Sequence, residues 1–305
     1  MSIANVRVPA KINLCLGVGP VRDDGFHPLA TVYQAVGLHD EVRATTRADD
    51  EINVVVHTEL DVTAELAAVP EDDTNLAVKA ARLLRDHTGV VGGMDLAIRK
   101  VIPVAGGMAG GSADAAASLV ACNDAWGTGL TRADLERLAA ELGSDVPFLL
   151  HGGNAVGGGR GETISPVLAR GSYHWVFAIA AEGLSTAAVY AEFDRLNSGS
   201  TVSEPVVPDA LLAALRAGDP EALGEALSND LTEAALSLRP ELQDTLEVGI
   251  EAGALGAILS GSGPTAMFLA SDEQHSLDIA FALSSAASCA DVVQSHGPVP
   301  GARLT

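Results

Sequence analysis

A glycine-rich stretch in the middle of the chain, PVAGGMAGGSADAAA from Pro103 to Ala117, carries a clear chemical signal. Glycines let a ligand approach the backbone closely, and Ser112 stands where the loop runs into an alanine-rich segment typical of a helix. The segment before it, from Met94 to Ile102, alternates as a strand does. Because the free N–H groups and the dipole of a helix start attract anions, the stretch predicts a phosphate site.

Two better-known phosphate motifs do not fit this chain. The Walker pattern GxxxxGK[ST] is absent, since no lysine of the sequence follows a glycine. A dinucleotide fingerprint ending at Gly110 would need a glycine where Ala105 stands. The match at 261–266 contains Pro264 and leads into AMFLA, which is typical of a strand and not of the required helix. The alternative for 103–117 is a flexible connector followed by a buried helix.

The composition excludes some classes of partner. The chain has 305 residues, 48% of them hydrophobic and 19% charged, which is typical of an ordered globular protein. Its formal net charge of −22 argues against nucleic acid and against an anionic membrane, because both are held largely by neutralised phosphates. A small anionic substrate must then be met by a few placed cations and backbone N–H groups.

The cysteines and the N-terminus indicate a location. Cys15, Cys122 and Cys289 lie far apart and form no CxxC motif, which favours buried thiols in a reducing compartment. The first residues, MSIANVRVPAKIN, lack the apolar core of a signal peptide, and no run of 18 apolar residues occurs. We therefore expect a soluble cytoplasmic protein.

Apolar periodicity predicts an α+β protein of two domains, 1–155 and 156–305, because strands and helices mix without strict alternation in both halves. The helix at 75–88 is predicted to be capped by Asp73 or Thr74, and the one at 132–142 by Thr131. The other predicted helices are 113–126, 185–196, 208–217, 220–235, 240–252 and 273–286. The predicted strands are 3–18, 30–38, one or two within 40–58, 94–102, a hairpin over 154–167, 174–180, a strand–turn–strand over 255–271, and a closing strand, 289–295.

Several segments occur in an order that resembles one kinase superfamily. PAKINLCL and DGFHPL stand near the N-terminus, PVAGGMAGGSADAA in the middle and SGSGPTAMF near the C-terminus. This order is similar to that of galactokinase, homoserine kinase and mevalonate kinase, and it spans nearly the whole chain. RDDGFHPL and GSDVPF most resemble the members that act on 4-diphosphocytidyl-2-C-methyl-D-erythritol, in the non-mevalonate route to isoprenoid precursors.

The resemblance implies a fold and a reaction. Its fold has an N-terminal half like ribosomal protein S5 domain 2, a ferredoxin-like C-terminal half and an active site in the cleft between them. Its reaction moves the γ-phosphate of ATP, with Mg²⁺, onto the 2-hydroxyl of the erythritol moiety. The expected partner is thus a small molecule with a cytidine diphosphate moiety, and the sequence leaves the oligomeric state open.

The resemblance also implies residue roles. Asp145 matches the catalytic aspartate that accepts a hydrogen bond from the substrate hydroxyl, and Lys11 matches the lysine that faces the transferred phosphate. Ser112 is also a candidate Mg²⁺ ligand. The implied ATP-binding residues are Pro103, Val104, Ala105, Gly106, Gly107, Met108, Ala109, Gly110, Gly111, Ser112 and Ala113, with Asn75 and Lys100 near the adenosine. The implied substrate-binding residues are His27 and Asn13 for the cytosine edge, Phe26 and Tyr190 for stacking, and Thr186 for the diphosphate.

Each role has a structural alternative. Ser112 and Asp145 are also typical helix caps, Lys11 could be a solvated strand lysine, and Tyr190 could be a core residue. The chain carries Ala105 and Ala109 where relatives mostly have glycine, and Asp114 where asparagine is common. Either alanine would strain the backbone at a positive φ.

Three other functions compete with the kinase prediction. A sister kinase would act on homoserine, mevalonate or a sugar, but DGFHPL favours the cytidine substrate. A silent member would only sense a nucleotide, but the presence of both Lys11 and Asp145 opposes this. An S5-like RNA-binding module is opposed by the net charge of −22.

Overall fold

The fold consists of two β-sheets with helices packed against them, in a computed structural model that describes residues 1–58, 69–104 and 106–305. The strands are β1 (Ile3–Val18), β2 (Leu29–Thr46), β3 (Ile52–Thr58), β4 (Met94–Lys100), β5 (Asn154–Gly158), β6 (Thr163–Pro166), β7 (Tyr173–Ile179), β8 (Ser228–Asn229), β9 (Gly256–Leu259), β10 (Ala266–Ala270), β11 (Asp291–Gly297) and β12 (Arg303–Leu304). The helices are α1 (Leu76–Thr88), α2 (Gly110–Trp126), α3 (Arg132–Leu142), α4 (Val146–His151), α5 (Thr186–Leu196), α6 (Asp209–Ala217), α7 (Pro220–Ala226), α8 (Thr232–Leu238), α9 (Glu241–Glu251) and α10 (Glu273–Ala286). The predicted α+β class is confirmed.

The first sheet is built on the long antiparallel pair β1 and β2. Its order is β12-β1-β2-β4-β3, with β5 and β6 continuing from β2 and with β8 parallel to β1. Every residue from Val8 to Leu16 is buried. Because successive strand residues point to opposite faces, the middle of β1 is covered on both sides. Lys11 and Asn13 therefore lie on one face of a strand that is enclosed by protein.

The second sheet is antiparallel, with the order β11-β7-β10-β9. A buried polar chain joins it to the first sheet: Trp175 Nε1 donates to Gln34 Oε1 at 2.8 Å, and Gln34 Nε2 donates to Asn154 Oδ1 at 2.8 Å. Satisfied hydrogen bonds of this kind fix the relative orientation of the elements that carry them.

One predicted helix N-cap is confirmed by the structure, and another is wrong. Thr131 and Asp134 form a capping box at α3, and this predicted cap is confirmed. The cap predicted for α1 at Asp73 or Thr74 is wrong, because Asn75 takes the position and accepts from the Ala77 N–H at 2.8 Å.

Two predictions for the C-terminal half are also wrong. The helix predicted over 220–235 is two helices, α7 and α8, separated by β8. Asn229 explains the break, because its Nδ2 donates to the carbonyls of Leu259 and Gly261, at 2.9 and 2.7 Å, and so holds the segment against β9. The strand predicted to close the chain, β11, is followed by β12, which returns to pair with β1.

The first sheet crosses the predicted domain boundary. Position 155 lies within β5, and β6, β8 and β12 beyond it also join the first sheet. A division of the chain into 1–155 and 156–305 stays a prediction. Within the described ranges, no helix has the length and apolar character that crossing a bilayer requires.

Candidate active site

A cavity of about 570 Å³ lies where the two sheets meet the glycine-rich loop. Its wall includes residues of β1 and β2, of the loop before α2, and of the starts of α4 and α5. The sequence-predicted residues that line it are Lys11, Asn13, Pro103, Gly106, Gly107, Ala109, Gly110, Gly111, Ser112, Asp145, Thr186 and Tyr190. The structure thus brings together residues that are up to about 180 positions apart in the sequence, as a site formed by tertiary folding requires.

The glycine-rich loop is pressed against the turn between β9 and β10. Gly107 has φ +74°, and a Cβ added there would lie 2.0 Å from the Ser260 carbonyl oxygen, so no larger residue fits. Ser260 Oγ donates to the Gly107 carbonyl at 3.1 Å. The C-terminal turn therefore supports the loop, which fixes the backbone that faces the cavity.

Helix α2 starts at the cavity without a side-chain cap. Its N-cap residue is Ala109, whose methyl group accepts no hydrogen bond, and Gly110 to Ser112 line the cavity. The first N–H groups of a helix have no partner within it, so they and the helix dipole favour an anion here. Ala109 has φ +59°, which strains a residue with a Cβ, whereas Ala105 lies outside the described residues.

Lys11 and Asp145 face each other across the cavity. Lys11 Nζ lies 3.7 Å from Asp145 Oδ2 and donates to Asn13 Oδ1 at 2.8 Å. Asn13 Nδ2 in turn donates to Thr31 Oγ1 at 2.7 Å, which orients its oxygen toward the lysine. Asp145 stands at the N-cap position of α4, but its side chain makes no capping hydrogen bond. Its carboxylate, 29% exposed, is thus available to a ligand in the cavity.

Tyr33 is a site residue that the sequence analysis missed. It lines the cavity, and its ring lies 5.6 Å from Lys11 Nζ. Burial, and then the charge of Asp145 and a hydrogen bond to it, raise the pKa of the Tyr33 hydroxyl well above its ordinary value. The signal in the sequence that could have found it was the succession of two strand patterns. When β1 pairs with β2, Tyr33 becomes the cross-strand partner of Asn13.

Tyr190, which lines the cavity, belongs to a cluster of rings whose other members, His27 and Phe193, do not line it. His27 is buried, and its Nδ1 lies 2.8 Å from the Gly19 carbonyl, which only accepts, so Nδ1 carries the proton. Its ring lies 5.2 Å from that of Tyr190 and 5.9 Å from that of Phe193. Burial, and then the nearby Asp145 charge, raise the pKa of Tyr190 to about 12. The structure therefore brings His27 and Tyr190 together.

The remaining predicted substrate residues lie beside this cluster. Phe26 is half exposed, and the guanidinium carbon of Arg160 lies 4.8 Å from its ring centre. Thr186 Oγ1 lies 2.9 Å from Ser262 Oγ, and both residues line the cavity. Arg160 was also missed by the sequence analysis; a single arginine within the glycine-rich hairpin over 154–167 was the available signal.

Asn75 and Lys100 do not line the cavity. Asn75 caps α1 with its side-chain oxygen and donates to the Pro70 carbonyl at 2.6 Å. Lys100 is buried and donates to Asp40 Oδ2 at 2.5 Å and to Asp114 Oδ2 at 2.9 Å. Both side chains are thus used inside the protein, and contact between either residue and ATP stays a prediction. Residues of the loop segment that also do not line the cavity are Val104, Met108 and Ala113.

Comparisons with known proteins identify relatives of the whole chain. The GHMP kinases N terminal domain matches residues 75–153, and the GHMP kinases C terminal domain matches residues 211–289. Over 303 residues the chain is 55% identical to the 4-diphosphocytidyl-2-C-methyl-D-erythritol kinase of Thermobifida fusca, covering 98% of this chain and 97% of that one. Over 302 residues it is 53% identical to the kinase of the same name in Streptomyces coelicolor, covering 98% of each.

Solved structures show the same fold. A crystal structure of 4-(cytidine 5'-diphospho)-2C-methyl-D-erythritol kinase matches with a TM-score of 0.74 and 30% identity, covering 95% of this chain and 98% of that one. Homoserine kinase from Cytophaga hutchinsonii matches with a TM-score of 0.76 and 20% identity, covering 100% and 98%. The two matched domains confirm a two-domain α+β fold. The chain therefore belongs to the GHMP kinases, which are ATP-dependent small-molecule kinases, and among them to the family of 4-diphosphocytidyl-2-C-methyl-D-erythritol kinases.

Proposed function

We propose that this kinase transfers the γ-phosphate of ATP to the 2-hydroxyl of 4-diphosphocytidyl-2-C-methyl-D-erythritol, which yields the 2-phosphate and ADP. The observation that carries the proposal is the position of Lys11 and Asp145, which are 3.7 Å apart in one cavity. The free helix start of α2 borders that cavity, and the ring cluster of His27 and Tyr190 lies beside it. The phosphate-donor site and the acceptor site would thus meet at the Asp145 carboxylate and the Lys11 ammonium group.

Asp145 and Lys11 would act on the acceptor hydroxyl. Asp145 accepts a hydrogen bond from this hydroxyl and so directs a lone pair of the hydroxyl oxygen at the γ-phosphorus. Lys11, held by Asn13, offsets the negative charge on the transferred phosphoryl group. Phosphoryl transfer through a loose transition state depends more on orientation and charge than on early proton removal. This supports a mechanism in which the pair chiefly positions and neutralises.

The N–H groups at the start of α2 would hold the ATP phosphates. The cavity also offers oxygen ligands that fit Mg²⁺, since the Ser112 hydroxyl and the Asp145 carboxylate both line it. Mg²⁺ at phosphate sites usually takes one or two protein oxygens and completes its shell with phosphates and water. When bound, the ion would neutralise charge on the phosphates, and Ser112 would hold it.

The cytidine would lie at the ring cluster. The His27 ring, whose Nδ1 donates to the Gly19 carbonyl and whose Nε2 lies 3.5 Å from Asp194 Oδ1, would read the cytosine edge, and Tyr190 and Phe26 offer stacking faces. A base–aromatic stack contributes about 1–3 kcal/mol per base. The finer fold assignment, an S5 domain 2-like half and a ferredoxin-like half with the site in the cleft between them, belongs to the same proposal and is supported by the four-stranded antiparallel second sheet.

The test is ADP release by the full chain, with ATP and one acceptor at a time. We expect release with 4-diphosphocytidyl-2-C-methyl-D-erythritol, a product phosphorylated at the 2-hydroxyl by ³¹P NMR, and background rates with homoserine, mevalonate and galactose. Release with one of these three and none with the cytidine compound would establish the sister-kinase alternative. Release with none of them would overturn the proposal.

A further inference from the structure

The basic residues that line the cavity differ in their contacts with other side chains. Among the described residues that line it, two are basic: Lys11 on β1 and Arg160 on the turn between β5 and β6. Lys11 Nζ is held by Asn13 and faces Asp145. Arg160 has a side chain that is 41% exposed, and its closest carboxylate contact in the described chain is Glu162 at 4.0 Å, the outer limit of an ion pair. Its guanidinium therefore keeps donors for a ligand.

The turn that carries Arg160 lies between the two ends of the acceptor site. On one side the Arg160 guanidinium packs on the Phe26 ring at 4.8 Å. On the other side the next residue, Gly161, has φ +103°, and a Cβ added there would lie 2.3 Å from Tyr33 Oη and 3.7 Å from Ser144 Cβ. Tyr33 neighbours Asp145. The turn thus contacts Phe26, the residue before His27, on one side and Tyr33, the neighbour of Asp145, on the other.

A nucleoside diphosphate ester would place its diphosphate in this interval. Its base would occupy the ring cluster and its alcohol would reach Asp145, so the two phosphates must lie between. In a chain of net charge −22 these phosphates need a local cation, and the planar guanidinium fork matches phosphate oxygens in a bidentate way. We propose that Arg160 binds the diphosphate of the acceptor and so selects acceptors that carry one. This inference rests on the proposed function.

The contact with Phe26 suggests a competing role, in which Arg160 only supports a stacking ring. The two roles differ in which part of the ligand loses affinity when the guanidinium is removed. A diphosphate contact affects ligands with phosphates, whereas support of the ring affects every ligand with a cytosine. Cytidine and CDP are therefore the probes that separate them.

The test is isothermal titration calorimetry of CDP and cytidine with the full-length wild type, Arg160→Gln and Arg160→Lys. Since charge-assisted hydrogen bonds are the stronger ones, we expect Arg160→Gln to weaken CDP binding by about 10- to 100-fold and cytidine binding by less than about 3-fold. Arg160→Lys should recover part of the CDP affinity. The matched control is Arg137→Gln on α3, where Arg137 is 72% exposed and pairs with Asp134; it should change neither affinity.

Equal losses for cytidine and CDP, or no loss for CDP, would overturn the inference. Steady-state kinetics provide the second measurement: Arg160→Gln should raise KM for 4-diphosphocytidyl-2-C-methyl-D-erythritol and leave KM for ATP unchanged. If the wild type phosphorylates this acceptor and Arg160→Gln keeps its KM, the inference fails alone. If the wild type does not phosphorylate it, the proposed function fails, whatever the titrations show.

Discussion

Two lysine–aspartate clusters in this protein differ in burial and in the closeness of their contacts. The cavity pair, Lys11 and Asp145, is separated by 3.7 Å, and its carboxylate is 29% exposed. The buried triad, Lys100 with Asp40 and Asp114, has contacts of 2.5 and 2.9 Å and side chains exposed by 2% or less. The same residue types are thus loosely paired in the cavity and tightly paired in the interior.

The surroundings of the triad explain the difference. Asp40 Oδ1 accepts the N–H groups of Val101 and Ile102, at 2.6 and 2.9 Å, which fixes the chain where it leaves β4 for the loop. A Cβ added at Gly110 would lie 3.0 Å from Lys100 Nζ, so the triad lies directly beneath the start of α2. The triad holds the loop in place, whereas the cavity pair keeps hydrogen-bonding capacity for a ligand.

The largest expected effect is on turnover at the cavity pair. Asp145→Asn keeps the shape but removes the charge that orients the acceptor hydroxyl, so kcat should fall by about 10²- to 10⁴-fold, or roughly 3–5 kcal/mol of barrier. Because the carboxylate is partly exposed, the melting temperature should change little. ADP release and thermal melting measure the two effects. Asp124→Asn, at an exposed aspartate near the end of α2, is the control, and an Asp145 variant that keeps half the activity would contradict the role.

The next effect is on stability at the triad. Lys100→Met leaves the buried carboxyl groups of Asp40 and Asp114 without the cation that both contact, which should cost about 3–5 kcal/mol of the free energy of unfolding. Lys11→Met is the matched substitution and should abolish turnover. It should lower the free energy of unfolding by about 1 kcal/mol or less, because the carboxylate of its partner Asp145 is partly exposed and can be solvated. Urea unfolding and ADP release separate the two. If Lys11→Met were less stable than Lys100→Met, the contrast between the cavity pair and the buried triad would be wrong.

A smaller effect is a pH dependence that Asp114 gives to stability. Burial, and then the second carboxylate Asp40, outweigh the attraction of Lys100 and raise the pKa of Asp114 from 3.8 to about 8. Because the folded-state pKa is the higher one, the stabilisation from this proton is complete below the unfolded value and is lost as the pH rises through about 8. Asp114→Asn keeps a neutral side chain at every pH. The melting temperature of this variant minus that of the wild type should increase between about pH 6 and pH 9; a constant difference would show that Asp114 is already ionised throughout.

The sequence predicted most elements because local signals decide them. Alternation over 3–18 predicted β1, and Thr131 before the helical pattern predicted the cap of α3. It missed β8 and β12, which are two residues long and exist only because β1 offers them a partner. Propensity cannot reveal such strands, since their stability comes from long-range pairing.

The site could be predicted in part, for a related reason. Motifs identified Lys11 and Asp145, and tertiary folding places them 3.7 Å apart. They also grouped Lys100 with the ATP site; its side chain contacts Asp40 and Asp114 and does not line the cavity, so contact with ATP stays a prediction. Tyr33 and Arg160 were missed, since each acquires its place only through the pairing of β2 with β1 and with β5.

The smallest expected effect concerns the strain at Ala109, which has φ +59° at the loop that the triad supports. A left-handed conformation costs a residue with a Cβ about 1–2 kcal/mol, and glycine gives back roughly 0.4–1 kcal/mol through the entropy of the unfolded chain. Ala109→Gly should therefore stabilise the protein by about 1 kcal/mol or less. Ala287→Gly, at φ +51° after α10, is the matched control for strain away from the cavity. Because the triad and Ser260 already hold the loop, KM for ATP should stay within about 3-fold of the wild type in both variants. An increase in KM confined to Ala109→Gly would show that the methyl group, and not the triad beneath it, keeps the N–H groups in position.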